Sequence, residues 1–264
     1  GEGVADTGDK VTITGENFGT DPSDISVSFN GTPAEFELVD ESTIVATTPA
    51  DYQTGSVTVT IHGYTMTGGA MFNPNSKGDV TVLYLQNYKQ PFAKANDESW
   101  KNGEWWTPAV WNQNAASFNA KGNTTVSGMQ YKSEEGLTLA FQNGWDKEAY
   151  TNGKMWQVAT LRPGKYRLEV TYAYTLVVTD AGNFISVLIA KGDSESDIPN
   201  VADLEQLNGV YVAYDKMGTA NDSGTLVTPS FEVTETTDVV IGFLTSLAKG
   251  NSYFKVTELK LILE

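Results

Sequence analysis

Apolar residues occupy every second position of a long run in the second half of the chain, and this alternation constrains the fold more than any other feature. Successive side chains of a β-strand point to opposite faces of a sheet, so the pattern predicts a strand with one buried face. A helix would need a repeat of three to four residues. The alternating residues are Tyr166, Leu168, Val170, Tyr172, Tyr174, Leu176 and Val178.

The remaining sequence is also typical of strands and tight turns. It contains 25 Gly and 9 Pro, and Thr, Val, Tyr and Asn are frequent. In the last strand the apolar face changes phase between Val256 and Leu259, which predicts a β-bulge near Thr257. We therefore predict an all-β protein, with further strands at residues 80–85, 137–141, 155–161, 184–189, 231–233, 239–244 and 253–263.

The first 75 residues form a set of their own, in which short alternating runs are separated by turn residues. Asn30-Gly31, directly after one such run, is a strong hairpin signal. Residues 11–19, 27–34, 43–49 and 55–59 resemble, in the correct order, an IPT/TIG immunoglobulin-like domain. The resemblance rests on turn glycines and core apolar residues: Val11, Ile13, Gly15, Phe18, Gly19, Val27, Phe29, Gly31, Ile44, Val57 and Val59. It implies an N-terminal Ig-like β-sandwich at 1–75, a spacer or interaction module with no catalytic motif.

A polar segment at 73–78, with Pro and Gly, is the predicted linker, and residues 79–264 are predicted to form a second domain. In that domain Trp156, the turn Arg162-Pro163-Gly164 and the closing strand 253–261 belong to a pattern that resembles galactose-binding-like jelly rolls. That fold is shared by many carbohydrate-binding modules, and the resemblance implies a jelly-roll β-sandwich. With the IPT/TIG module and the tryptophan-rich segment, the chain also resembles modular cell-surface lipoproteins of the Bacteroidetes.

All six tryptophans lie between residues 100 and 156, and residues 95–123 follow no strand or helix period. We predict a long ordered loop there, with a short helical turn after Pro108. An indole face can stack on a sugar ring, while Asn, Gln and Asp side chains hydrogen-bond its hydroxyl groups. Trp106 and Trp145 are expected to be exposed, with Trp105 as the alternative to Trp106, and Trp156 is expected to be core. The predicted ligand-binding residues are Trp100, Trp105, Trp106, Trp111, Asn112, Asn114, Asn143, Trp145 and Asp146.

Charge and residue types argue against several other functions. The chain has 33 acidic and 17 basic residues, a formal net charge of −16 that repels nucleic acid backbones. It has no Cys, and His62, its one histidine, has no nucleophile motif nearby, so thiolate and triad chemistry are not predicted. No cofactor is predicted. Oxygen atoms of residues 193–197 would suffice for a structural Ca²⁺, but the spacing of a calcium loop is missing and a solvated loop is favoured.

These observations predict non-catalytic binding of a poly- or oligosaccharide. The expected location is the bacterial cell surface or periplasm, as an exported outer-membrane lipoprotein of polysaccharide utilisation, with a lipid anchor that this sequence does not include. Protein partners are expected through the Ig-like domain. Two alternatives stay open: an adhesion or scaffold protein whose tryptophans close the core, and a glycoside hydrolase, which needs two carboxylates at a defined separation. Carboxylates near the tryptophans are Asp97, Glu98, Glu104, Asp146 and Glu148.

Overall fold

The fold is all-β, as the sequence predicted. The computed structural model describes residues 3–100, 103–118, 126–143, 149–177, 182–248 and 252–264. The chain divides into two compact units, Gly1–Leu83 and Tyr84–Glu264. Each unit is a sandwich of two β-sheets, which agrees with an Ig-like domain followed by a jelly-roll domain.

The first unit packs a larger sheet on a smaller one. The larger sheet has the order β1 (Gly3–Val4), β8 (Tyr64–Phe72), β7 (Gly55–Ile61), β3 (Ile25–Phe29) and β4 (Thr32–Ala34). The smaller sheet has the order β2 (Lys10–Thr14), β6 (Thr43–Thr47) and β5 (Phe36–Asp40). The buried core between them contains Phe18, Val27, Phe29, Ile44, Tyr52 and Val59.

Two local features fix this unit. Asn30 and Gly31 join β3 to β4 with positive φ angles of 44° and 83°, so the predicted hairpin is confirmed. The Tyr52 hydroxyl, which is fully buried, donates to the carbonyl oxygens of Ala5 and Phe72 and so ties the start of the unit to its last strand. Burial raises the pKa of Tyr52 to about 12, so the hydroxyl stays a donor at neutral pH.

The strand predicted at residues 80–85 is wrong. After β9 (Gly78–Asp79) the chain forms a single helical turn, α1 (Thr81–Tyr84). The Asp79 carboxylate accepts hydrogen bonds from the backbone N–H and the hydroxyl of Thr81, at 3.0 and 2.5 Å. This capping favours a helical start over an extended one.

The second unit has two antiparallel sheets. The first has the order β10 (Trp105–Trp106), β12 (Val126–Lys132), β13 (Gly136–Asn143), β21 (Ser252–Leu263), β15 (Gly164–Val177) and β18 (Ala220–Val227), with β19 (Phe231–Val233) also paired to β15. The second has the order β11 (Asn112–Gln113), β14 (Tyr150–Leu161), β20 (Thr237–Leu247), β16 (Phe184–Lys191) and β17 (Val212–Lys216). Two short helices, α2 (Ala115–Phe118) and α3 (Val201–Leu207), complete the unit.

Aromatic rings from both sheets meet in the core of the second unit. The ring of Phe243 on β20 lies 5.0 Å from that of Phe141 on β13 and 6.4 Å from that of Phe254 on β21, centroid to centroid. All three side chains are buried. Phe141 and Phe254 are cross-strand partners, so the side chains on either side of them in sequence point to the outer face of the first sheet.

The two long strands of the first sheet both contain irregularities. Thr171 pairs with Glu258 and Tyr172 with Val256, so Thr257 is an extra residue and the predicted bulge is confirmed. The strict alternation predicted for residues 166–178 is wrong beyond Tyr172. Tyr174 has a φ of 50° and is exposed, and a register shift buries Thr175 and Val177 instead. Val178 lies outside the described residues.

Candidate functional site

Most of the tryptophans pack inside the second unit. The exposed fractions are 1% for Trp105, 8% for Trp106, 5% for Trp111 and 8% for Trp156. The predicted exposure of Trp106 is therefore wrong. Trp106 pairs with Met129 at the edge of the first sheet, and the Lys94 ammonium lies 3.8 Å from the centroid of its ring. A cation over an indole face is itself a stabilising contact, so this tryptophan is engaged within the protein.

Trp111 and Asn114 hold the loop to the sandwich. The Trp111 ring lies 5.7 Å from Phe243, and its Nε1 donates to the Asn87 carbonyl at 3.0 Å. The buried Asn114 side chain donates to the Asn152 carbonyl and accepts from the backbone N–H groups of Ser117 and Lys154. These hydrogen bonds give both residues a structural role.

The other predicted residues are scattered. Asn112 is exposed and donates to the carbonyl oxygen of Trp156 at 3.3 Å, on the second sheet. Asn143 is fully buried. Trp145 and Asp146 lie outside the described residues, so the exposure of Trp145 stays a prediction. Trp156 is in the core, as predicted, against Leu188, Ile198, Leu204, Val240 and Leu244.

Trp100 and Trp105 lie against the outer face of the first sheet. They exchange backbone hydrogen bonds of 3.0 and 3.3 Å, and Trp105 pairs with Gln130 of β12. Trp105 packs on Val126 and Ala140, with Trp100 beside it. A Cβ at Gly128 would lie 2.9 Å from the Trp106 carbonyl oxygen and 3.4 Å from the Trp100 ring, so the glycine allows this close approach. The two indoles border one side of the outer face.

Beside Trp105 a depression of about 220 Å³ opens on the same face, and we call it the sheet-face depression. Strand pairing explains its composition. Gln142 is opposite Tyr253, Ala140 is opposite Lys255, and Gln130 belongs to the next strand of the sheet. Side chains at paired positions point to the same face. The lining residues are Glu104, Trp105, Gln130, Lys132, Glu135, Gln142, Tyr253 and Lys255.

Two lysine–glutamate ion pairs line the depression. Lys132 Nζ lies 2.7 Å from Glu104 Oε2, and both side chains are about two-fifths exposed, at 41% and 39%. Lys255 pairs with Glu135, and here the lysine side chain is only 7% exposed. The Lys255 ammonium also lies 5.5 Å from the centroid of the Tyr253 ring. The depression therefore holds donors and acceptors side by side, with no formal net charge.

Two polar atoms at the floor of this face lack a hydrogen-bond partner within the described part of the chain, Gln130 Oε1 and Thr138 Oγ1. Gln130 and Thr138 are cross-strand neighbours and are 4% and 0% exposed. Gln130 Nε2 makes only a long contact of 3.5 Å with Glu104. Buried polar groups are normally satisfied, and these two atoms have almost no accessible surface, so a buried water is the kind of partner that completes such a pair.

Other sequence candidates do not form sites in the described residues. Asp197 accepts from the hydroxyl and N–H of Ser194, the N–H of Asp193 and the hydroxyl of Tyr211, so the protein itself satisfies this carboxylate. Across the described ranges, no three His, Cys, Asp or Glu side chains come together as metal ligands. None of the helices described there is long and apolar enough to cross a membrane.

Comparison with known proteins assigns families to both units. A model of the IPT/TIG domain matches residues 2–76, which confirms the resemblance seen in the sequence. A model of the family described as a domain of unknown function, DUF5013, matches residues 86–242, more than half of the chain. The chain belongs to the DUF5013 family. No curated protein matches it in sequence.

Solved structures similar to the chain are β-sandwich proteins. One is a carbohydrate-binding module in complex with β-1,4-galactotriose, with 12% identity, coverage of 69% of this chain and 98% of that one, and a TM-score of 0.33. A candidate glycoside hydrolase from Bacteroides thetaiotaomicron has 12% identity, coverage of 88% and 83%, and a TM-score of 0.41. A xylan-binding module has 16% identity, coverage of 58% and 90%, and a TM-score of 0.31. At these scores the similarities carry no argument about ligand or site.

Sequence reasoning missed most residues of the depression in the second unit. Tyr253 and Lys255 alternate with the buried Phe254 and Val256, and this signal predicts an outward polar face. Nothing in the sequence shows that β21 lies beside β13, or that Glu104 reaches the same surface from a distant loop. The predicted binding site was placed on the tryptophans. These side chains are costly to expose to water, and most of those described lie in the core.

Proposed function

We propose that this protein binds carbohydrate without catalysis, through the sheet-face depression. The observation that carries the proposal is the composition of the depression: two ion pairs, two amide side chains and a half-buried Tyr253 in one concavity. Sugar hydroxyl groups both donate and accept, so they need both kinds of partner at short range. Lysine donates, carboxylate accepts, and the glutamines do both, while an aromatic ring offers an apolar surface to the C–H face of a sugar.

Of the residues predicted from the sequence, the proposal retains Trp105, which lines the depression, and Trp100, which packs beside Trp105. Trp145 and Asp146 remain proposed contacts.

We further propose that the protein is exported to a bacterial cell surface or periplasm, held there by a lipid anchor, and that the IPT/TIG unit contacts other proteins. This proposal is supported by the IPT/TIG module, which commonly occurs in proteins of the cell surface. Protease accessibility of the protein on intact cells, compared with lysed cells, tests the location.

The binding test uses affinity electrophoresis of the full chain in gels that contain soluble polysaccharides, followed by calorimetry with oligosaccharides of any glycan that retards it. Tyr253→Ala should weaken binding about tenfold, because the ring loses its contact with the sugar face. Tyr64→Ala is the matched control, since Tyr64 is 81% exposed in the first unit. Retardation that is unchanged in Tyr253→Ala, or absent for every glycan in the wild type, contradicts the proposal.

Glycoside hydrolysis is the second candidate, because two carboxylates, Glu104 and Glu135, line the same depression. A hydrolase needs one carboxyl group as an acid and a second as a base or nucleophile. Here each carboxylate forms an ion pair with a lysine. The test measures the reducing sugar released from a polysaccharide that retards the protein in the gel. Release that is lost in both Glu104→Gln and Glu135→Gln would establish hydrolysis in place of simple binding.

A further inference from the structure

We propose that the sheet-face depression selects neutral glycans, and that its exposed Lys132–Glu104 pair binds two neighbouring hydroxyl groups of the sugar. The inference rests on the proposed function and names the ligand class of the same site. It excludes glycans that carry carboxylate or sulfate groups from tight binding. The reasons are the geometry of the ion pairs, the burial of Lys255 and the charge around the depression.

An ion pair places a donor and an acceptor next to each other, as a vicinal diol does. One hydroxyl oxygen can accept from the lysine ammonium while the neighbouring hydroxyl donates to the carboxylate. Lys132 and Glu104 are both partly exposed. An ammonium has three donors and a carboxylate has about four acceptor positions, and the exposure of both side chains allows a ligand to reach them.

Anionic sugars meet an unfavourable site. Both lysines of the depression are already engaged by glutamates, so a ligand carboxylate must compete with a carboxylate of the protein. In the Lys255–Glu135 pair the lysine is 7% exposed, and breaking a nearly buried pair leaves Glu135 without its partner charge. The field of a chain with a net charge of −16 adds a long-range repulsion of polyanions.

The experiment compares matched neutral and anionic forms of the same polysaccharides. Galactan, glucomannan and β-glucan are tested beside their TEMPO-oxidised forms, in which the primary hydroxyl has become a carboxylate. We expect the full chain to bind at least one neutral polymer about tenfold more tightly than its oxidised form. That binding should change less than about twofold between about 50 and about 300 mM NaCl, because it involves no net charge.

Glu104→Gln keeps the shape of the side chain and removes its charge, which leaves Lys132 free to attract an anion. It should weaken binding of the neutral polymer and reduce the preference over the oxidised form several-fold. Glu232→Gln, at an exposed position of β19, is the matched control and should leave both values unchanged. Oxidised polymer that binds the wild type as tightly as the neutral one, or a preference unchanged in Glu104→Gln, overturns this inference alone. If no polymer binds, the proposed function fails with it.

Discussion

The two outer faces of the second sandwich show how the same architecture can either close a surface or leave it open. On the second sheet the outer face is apolar and includes Trp156, Leu188 and Val240. The chain covers it with residues 195–211, the covering segment, whose Ile198 and Leu204 are buried against it. On the first sheet the outer face carries amides and ion pairs, and among the described residues the depression stays open. A tryptophan therefore indicates a binding surface only when the chain does not cover it.

Lysine has a different role on each face. Lys154 is 7% exposed and donates to the carbonyl oxygens of Ile198, at 2.6 Å, and Glu195, at 3.3 Å, so it holds the covering segment. Burial lowers the pKa of Lys154, which is the cost of placing an ammonium group there. Lys132, on the open face, is 41% exposed and pairs with a carboxylate. The first lysine is structural, and the second is available to a ligand.

The largest effect is expected for Trp156→Ala, which removes the indole at the centre of the covered face. Deleting a fully packed aromatic side chain costs about 3–5 kcal/mol, from lost burial and from the cavity left behind. Urea-induced unfolding of the full chain measures the loss. Val158→Ala, two residues along the same strand and 40% exposed, is the control and should cost no more than about 0.5 kcal/mol. Equal effects of the two changes would show that the covered face contributes little to stability.

A pair of substitutions compares the two lysines directly. Lys154→Met should reduce the free energy of unfolding by about 1–3 kcal/mol, because the buried Ile198 carbonyl loses its lysine donor, and should leave glycan binding unchanged. Lys132→Met should cost less than about 1 kcal/mol, since its ion pair is exposed, and should weaken glycan binding. Urea unfolding and affinity electrophoresis of both variants separate the effects. Loss of binding in Lys154→Met with binding retained in Lys132→Met would reverse the assignment of the faces.

The smallest effect concerns acid stability of the covering segment. The hydroxyl and backbone N–H of Ser194, with the N–H of Asp193 and the Tyr211 hydroxyl, hold the pKa of Asp197 below its usual value. A depressed carboxyl pKa stabilises the folded state at pH values above the ordinary pKa, and this stability is lost as the pH falls through the folded value. The protection factors for hydrogen exchange in the covering segment, which divide out the intrinsic pH dependence of exchange, should therefore fall below about pH 4 in the wild type. Asp197→Asn should have lower protection factors at neutral pH and lose that acid dependence; a wild-type dependence that persists in the variant contradicts this role.

Periodicity predicted the parts of the fold that depend on neighbouring residues. Phe231 and Val233 bracket a strand, Asn30-Gly31 forms its hairpin, and Thr257 is the extra residue of a bulge, all as predicted. Tyr174 departs from its strand pattern because a bulge depends on the partner strands, which a local pattern does not contain.

The candidate site was harder to predict, because its residues come from segments distant in the chain. Glu104 meets Lys132, and Glu135 meets Lys255, across 28 and 120 residues. Trp106 misled the interpretation for the same reason, since its burial depends on Met129 of another strand. Alternation shows which side chains share a face of a strand. It does not show which face another part of the chain will cover.

The single extra residue at Thr257 has a consequence for how this domain can change. Before it, Phe254 and Val256 point inward while Tyr253 and Lys255 face the depression; after it, Leu259, Leu261 and Leu263 are the buried residues. If Thr257 were paired as an ordinary strand residue instead, with the leucines kept in place, Lys255 would turn into the core and Phe254 out to solvent, whereas deletion of Thr257 would leave both faces as they are. The binding surface is thus set by the accommodation of one extra residue in a bulge as much as by the chemistry of its side chains.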